Sequence, residues 1–462
     1  MNNNTQLFSL FATLSKEEQR ELAKWVNSPF HNQRADVVAL FQYLRKYSEQ
    51  AQKLKPETIW AAITPNEPYD NKSLRYTYSF LLQQIEDFLA YRQWWQDEAS
   101  RNLSLVRALR QHRAQKQFNK AFDQAKLSLE QQSYRDAAFH YHAYHLQYEK
   151  YEYEISQDRN TALQFGHFSG QLTLYFVISL LKQRCAIFSH KAMAALEAQD
   201  DIPDHLLEAL AEQFLHRSPV VFLYYSMYNL LKNYSELAYQ NVKDSLPLQL
   251  QQFPPNEQRD LILLTINSCI RQWNSGQKAF LQEALRWYQF GIESRALFEN
   301  GVLSRFTFKN MVVAAISLEE FQQAEQFVVQ YQTFLEEKYR ENMVNYCLAL
   351  LYFRQSDYPR AMQLLQIADY DDVLHNLDAR RMLLRIYYDL QETDALLSHI
   401  DSFKIYILRQ EKLGYHRANF LNLIHFVRKI IHANGAKNKL AKIKEEILLT
   451  THVAEKNWLL GC

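Results

Sequence analysis

Glycine and proline are scarce in this chain, and their scarcity limits the fold class. The 462 residues include only 8 Gly and 10 Pro, whereas average usage is about 7% and 5%. Strand-rich proteins need turn residues about every 8–12 positions, and residues 69–202 contain no proline at all. The sequence therefore predicts an all-α protein. Its length predicts two or more domains or an array of repeats.

The number of cysteines and the net charge are also small. The four cysteines lie far apart and form no CxxC pair, as expected for reduced thiols in a cytosolic protein. A formal net charge of +1 gives no global field toward nucleic acid or a membrane. The N-terminus lacks a basic residue before Lys16, and the longest apolar runs, such as Leu172–Leu181, are too short to span a bilayer. We therefore expect a cytoplasmic protein without a membrane partner.

Linear motifs of enzymes are missing as well. The chain contains no GxxxxGK[ST] phosphate loop, no GxGxxG, no GxSxG nucleophile elbow and no HExxH zinc motif. Its glycines occur singly, so no glycine-rich loop can approach a phosphate. We therefore expect a protein that is not an enzyme and has no cofactor.

Residues 1–97 are predicted to form a helical bundle of their own. Ser15 and Glu18 have the spacing of a capping box at the start of a helix. Apolar residues then recur at helical spacing up to Leu89. This block has no repeat spacing, and it contains no basic recognition helix of the kind that reads DNA.

Three further segments follow the bundle. Residues 98–245 show nearly continuous helical patterns and are predicted to form an array of helical hairpins. A proline cluster after residue 246 marks a break. Residues 257–410 then predict helical repeats, and residues 411–462 predict basic helices that cap the array.

The clearest repeat unit lies between Glu341 and His375. Ser356 and Asp357 provide a turn, and Pro359 falls in the first turn of a second helix, where its missing N–H costs nothing. Small residues stand where two helix backbones must approach, and large apolar residues surround them. The positions that carry this pattern are Leu348, Ala349, Tyr352, Tyr358, Ala361 and Ala368.

This stretch resembles a tetratricopeptide repeat, a helix–turn–helix unit of about 34 residues. Asn345 departs from the family pattern, which has a bulky residue at that position. Weaker copies occur upstream around Ala315 and Ala324 and downstream around Leu384 and Tyr387, so the resemblance extends over residues 305–405.

The resemblance implies an α-solenoid of antiparallel helix pairs. Such a fold implies a protein–protein interaction scaffold or adaptor that binds a peptide or helix of a partner on a solenoid surface. The candidate positions for that surface are Tyr352, Arg380, Arg381, Arg385 and Tyr387.

The C-terminal segment changes the sign of the local charge. Between Lys412 and Lys444 there is no Asp or Glu, whereas acids outnumber bases in the repeats just upstream. One interpretation is attraction within the molecule, and another is a docking patch for an acidic partner. Nucleic acid is the least favoured ligand of this patch. The candidate docking residues are Lys437, Lys439, Lys442 and Lys444.

Two alternative functions remain open at this point. His142, His145 and Glu149 share a helix face by their spacing and could hold a divalent metal in an enzyme. The chain could also be a bacterial regulator that responds to a ligand or peptide, with the N-terminal bundle as effector. That layout is a fold analogy.

Overall fold

The computed structural model of the chain describes residues 3–47, 55–157, 165–191, 202–367, 372–410, 413–433 and 435–462. Nearly all regular structure in these ranges is helical, which confirms the predicted all-α class. The first helices are α1 (Asn3–Thr13), α2 (Lys16–Val26), α3 (Ala35–Lys46), α4 (Pro56–Ile63), α5 (Asn71–Gln96), α6 (Glu98–Gln111), α7 (Gln115–Gln131), α8 (Ala137–Gln157) and α9 (Phe165–Lys191). The next are α10 (Asp204–Glu212), α11 (Pro219–Lys232), α12 (Glu236–Gln249), α13 (Pro255–Asn274), α14 (Ala279–Glu293), α15 (Arg305–Ser317) and α16 (Phe321–Tyr331). The last are α17 (Glu337–Arg354), α18 (Tyr358–Ile367), α19 (Val373–Asp389), α20 (Thr393–Arg409), α21 (Tyr415–Ala433), α22 (Lys437–Leu449) and α23 (Lys456–Gly461).

Little other regular structure occurs in the described ranges. Short 3₁₀ helices lie at Leu250–Gln252 and Gln332–Phe334. Strands β1 (Phe298–Glu299) and β2 (Val302–Leu303) pair antiparallel. Gly301 in their hairpin turn has φ +79°, a conformation that glycine adopts without steric cost.

The chain divides into two compact units, Met1–Phe176 and Val177–Cys462. The predicted division into segments 1–97, 98–245, 257–410 and 411–462 remains a prediction.

In the first unit, α1 to α5 enclose one apolar core. Its fully buried side chains include Leu7, Leu22, Leu40 and Leu81. The predicted capping box is present: the Ser15 side chain accepts from the Glu18 N–H, and the Glu18 carboxylate accepts from the Ser15 N–H. Each such cap contributes about 1 kcal/mol. A second core lies among α6, α7 and α8.

In the second unit, helices that follow one another in sequence pack together. The pairs α11–α12, α13–α14, α15–α16, α17–α18 and α19–α20 are in contact. First helices of neighbouring pairs also touch, since α15 contacts α17 and α17 contacts α19. Ala349 and Ala361, predicted to allow close approach of two helices, are both fully buried. Ala368 lies outside the described residues.

One turn geometry recurs between paired helices. A single residue adopts the left-handed conformation, and its N–H donates to the carbonyl oxygen three residues back. The next residue donates to the carbonyl five residues back, at 2.8–3.1 Å. This is the Schellman arrangement, which satisfies the last carbonyls of a helix. The left-handed residues are Arg113, Gly276, Glu319, Ser356 and Gln391.

The C-terminal helices complete the apolar core of the second unit. Ile400, Phe403 and Ile407 of α20 pack with apolar residues of α21, α22 and α23, including the fully buried Leu459. Arg428 of α21 pairs with Asp401 of α20. This ion pair joins the basic C-terminal segment to the acidic repeats, as attraction within the molecule would require. Lys412 lies outside the described residues.

One segment of the described chain, Ser169–His190 in α9, is long and apolar enough to cross a membrane by length and composition. The apolar run Leu172–Leu181, too short by itself to span a bilayer, is only the centre of this longer segment. A core helix of a soluble protein passes the same test. Within the second unit, Arg184 of this segment is buried and donates to the carbonyl of Ile202, and Lys182 pairs with Glu257.

Candidate partner-binding surface

Two of the predicted partner-binding arginines bind one carboxylate. Arg381 and Arg385 stand one helical turn apart on α19, so their side chains lie on the same face. Both donate hydrogen bonds to Glu455, which immediately precedes α23, and the Arg385 Nη1–Oε2 distance is 2.9 Å. All three side chains are largely buried, with relative exposures of 14%, 22% and 19%. The surface can therefore hold a carboxylate in partial isolation from water.

Two aromatic rings lie next to this ion pair. The Arg385 guanidinium is 5.0 Å from the centre of the Phe353 ring and 5.1 Å from the centre of the Trp458 ring. Tyr388 meets Trp458 edge to face at 5.1 Å. An arginine that contacts two aromatic faces gains cation–π attraction from both. We define Phe353, Arg381, Arg385 and Tyr388 as the α17–α19 clamp.

A second carboxylate supports the clamp from behind. Asp378 accepts from Arg381 Nε at 2.7 Å and from the Tyr346 hydroxyl at 2.5 Å. Burial raises the pKa of Asp378, but Arg381 and Tyr346 more than offset it, so this pKa lies below its usual range. Asp378 therefore stays ionised and fixes the orientation of Arg381.

The other predicted residues of the repeat region have different surroundings. Tyr352 donates to Glu325 at 2.9 Å, and Arg360 stacks on its ring. Arg380 lies over the Tyr406 ring. Tyr387 meets His399 edge to face at 5.5 Å. These side chains join neighbouring helices and are not brought together with the clamp into one site.

The predicted lysine patch is on α22. Lys437, Lys439 and Lys442 are exposed and Lys444 is half-buried. None of the four makes an ion pair with any residue in the described ranges. Their charges are therefore available to an acidic partner.

The predicted metal ligands do not converge. Glu149 is 2% exposed, and its carboxylate accepts from Arg107 and Arg110, each at 2.7 Å. His142 is instead 3.1 Å from the Ser100 hydroxyl. Burial lowers the pKa of His145, and Arg107 adds to that effect. Across the ranges that the structure describes, no group of three or more His, Cys, Asp or Glu side chains could hold a metal ion.

Sequence reasoning missed an aromatic cleft in the first unit. Trp25 stacks on His31 with 3.5 Å between ring centres, and Tyr91 stacks on Trp95 at 5.7 Å. The neighbouring Phe30 is 90% exposed. Further side chains that line the cleft are Glu21, Lys24, Ser28, Phe88, Arg92 and Gln96. The signal in the sequence was the dense aromatic run at the end of α5, which helical spacing alone would assign to packing.

Glu455 and Trp458 were also missed. The change in the sign of the local charge pointed to the basic residues of the C-terminal segment instead. Glu455 is an isolated acid beyond them, and nothing in the sequence indicates that it folds back onto α19.

No protein-family model matches the chain, and no curated protein matches it.

Proposed function

We propose that the chain is a non-enzymatic protein–protein interaction scaffold whose second unit is a tetratricopeptide-like solenoid of antiparallel helix pairs. Two observations support the architecture. The same left-handed turn joins helices within pairs at Gly276, Glu319, Ser356 and Gln391. First helices of several successive pairs also contact one another, namely α11 with α13, α15 with α17, and α17 with α19, as stacked repeats require.

The observation that carries the function is a row of partly exposed apolar side chains at equivalent positions. Phe306 and Val313 of α15 are 52% and 36% exposed, although both are large and apolar. Leu263 and Ile270 of α13 are half-buried. They precede Gly276, the left-handed residue after α13, by the same numbers of residues as Phe306 and Val313 precede Glu319. In a stack of repeats, equivalent positions of successive first helices share one face.

We name the residues of this face the α13–α15 face. It comprises Leu263, Asn267, Ile270, Phe306, Asn310 and Val313. Each helix contributes an apolar–amide–apolar set, which can bury apolar side chains of a partner helix or peptide and bond its polar groups. Binding of this kind explains exposed apolar residues that packing leaves uncovered. A cytoplasmic location is part of the proposal.

Crosslinking pull-down from the native host tests the proposal. The bait is the full chain, and the comparison variant carries Phe306→Glu and Val313→Glu. The two carboxylates desolvate unfavourably in an apolar interface, so a partner bound on this face should be reduced at least about tenfold.

The matched control is Val329→Glu on α16. Val329 is 62% exposed and lies on the second helix of the same pair. A captured protein that persists with the control and is lost with the double variant supports the α13–α15 face. Equal capture by both variants would refute this face as the binding surface.

The regulator interpretation is the second candidate, and the aromatic cleft of the first unit favours it. The half-buried Trp25 and His31 and the exposed Tyr91 and Trp95 line this cleft on the proposed effector unit. A ligand bound there would contact aromatic rings. Trp95→Ala should abolish ligand-induced changes in tryptophan fluorescence, and an unaltered response would exclude this cleft.

A further inference from the structure

Arg385 of the α17–α19 clamp occupies the same repeat position as Val313 of the open α13–α15 face. Arg385 of α19 lies six residues before Gln391, the left-handed residue of the turn that follows. Val313 of α15 likewise lies six residues before Glu319. Asp378 corresponds to Phe306 in the same way. The open part of the face is thus followed by a part that the chain's own C-terminal segment, residues 455–462, already covers.

The way in which Glu455 is held resembles a bound ligand more than a packed core. Glu455 has φ +56° and is not a glycine, so its backbone is strained. Among the described residues, its side chain is held through its two arginines. The Nε–H of Arg385 is buried and has no hydrogen-bond partner among the residues that the structure describes.

The residues that connect segment 455–462 to α22 form a link that is partly exposed to solvent. Thr451 and His452 are both exposed. The Asn422 side chain donates to the His452 carbonyl at 2.8 Å, and the Ala454 N–H donates to the Asn419 carbonyl at 3.1 Å. These two bonds hold the link to α21. Of the following residues Leu459 is fully buried, and Trp458, Leu460 and Cys462 pack partly buried against the same core.

We infer that residues 455–462 are a displaceable internal ligand of the α17–α19 clamp. The clamp then accepts from another protein a helical peptide with a carboxylate followed three residues later by tryptophan. This inference rests on the proposed function, because it assumes that this face of the repeats binds partners. A partner peptide would exchange with the internal segment.

The chemistry of the clamp specifies the peptide. Two guanidinium groups one turn apart bind a carboxylate in two places, which an amide cannot match in charge. The slot beside Phe353, Arg385 and Tyr388 is lined by ring faces and a flat cation, and it suits an indole. Glu455 directly precedes α23, and Trp458 lies in its first turn, so a carboxylate at the start of a short helix and an indole three residues later reach the clamp together.

Cutting the link in the full chain tests whether the segment is displaceable. A recognition sequence for a specific protease is inserted between Thr451 and His452, and the folded chain is then cut. A fluorescein-labelled peptide of residues 452–462 serves as the probe, and its exchange into the cut chain is followed by anisotropy. Circular dichroism of the cut chain, before and after the fragment is washed away, reports the fold.

An internal ligand should exchange with the probe while the helical signal is kept. Arg385→Glu should weaken probe binding at least about tenfold, as should a probe carrying Glu455→Gln and Trp458→Ala. Arg354→Glu is the matched control, because Arg354 is an exposed arginine on α17, and it should leave binding unchanged.

Two results would overturn the inference. A fragment that does not exchange, or whose removal unfolds the chain, is a structural cap and not a ligand. Equal weakening by Arg385→Glu and Arg354→Glu would show that the clamp has no specific role. Failure here leaves the α13–α15 face untouched, since the pull-down variants of that face do not alter the C-terminal segment.

Discussion

The Arg385 guanidinium lies 5.1 Å from the centre of the Trp458 indole, although the two residues are far apart in sequence. A guanidinium over an indole face contributes about 0.5–2 kcal/mol, depending on burial. Arg385→Met and Trp458→Leu should therefore show a coupling of about that size in a double-mutant cycle of urea unfolding. The cycle of Arg354→Met with Trp458→Leu is the control, and its coupling should be near zero.

Ala361 tests the contact between α17 and α18. Its side chain is fully buried, as is that of Ala349. Ala361→Leu should overpack this contact and reduce the free energy of unfolding by about 1–3 kcal/mol, measured as a lower denaturant midpoint. Ala441→Leu on the exposed side of α22 should change it by less than about 0.5 kcal/mol. An unchanged midpoint for Ala361→Leu would contradict the packing of these two helices.

The turn between α17 and α18 predicts a stabilising substitution. Ser356 has φ +60°, a left-handed conformation that costs a non-glycine residue about 1 kcal/mol. Ser356→Gly should therefore raise the free energy of unfolding by about 0.5–1 kcal/mol. Gln363→Gly, in the exposed middle of α18, should lower it by about 1 kcal/mol. Destabilisation by both substitutions would show that the turn is not left-handed.

Glu149 should matter for stability because its carboxylate is 2% exposed and binds Arg107 and Arg110. Glu149→Gln keeps the shape and removes the charge, so it should cost about 1–3 kcal/mol. Glu154 pairs only with the partly exposed Lys150 among the described residues, and Glu154→Gln should cost less than about 0.5 kcal/mol. Equal effects in chemical denaturation would mean that Glu149 is not buried in this way.

His399 predicts a pH dependence of stability. Burial lowers its pKa below the ordinary 6.5, and the nearby Arg380 charge adds to this, although a hydrogen bond to the Arg380 carbonyl opposes both. The unfolded chain therefore binds more protons than the folded chain below pH 6.5, and stability falls as pH decreases from about 7 toward the folded pKa. His399→Gln should reduce this loss in urea titrations at about pH 7 and pH 5.

The helical class and the position of one turn followed from the sequence alone. Few glycines and prolines leave helices as the dominant regular structure, and Ser356, Asp357 and Pro359 mark a chain reversal by local backbone chemistry. The capping box of Ser15 and Glu18 is equally local, since both residues belong to one helical turn. Local rules succeed in these cases because the interacting groups are neighbours in the chain.

The common turn geometry was visible only in the structure. Glu319, Ser356 and Gln391 all adopt the left-handed conformation, yet only glycine signals that conformation in a sequence. The sequence pattern therefore locates one good repeat, whereas the hydrogen bonds reveal the same turn several times.

The surroundings of the candidate site residues were decided by tertiary structure. The sequence placed Arg381 and Arg385 on one helix face, because helical spacing requires it. Both arginines bind the carboxylate of Glu455 because a segment about 70 residues further along the chain folds back onto α19. Likewise, helical spacing put His142, His145 and Glu149 side by side, but arginines of a different helix bind Glu149. Periodicity determines which side chains share a face, whereas long-range packing determines what that face meets.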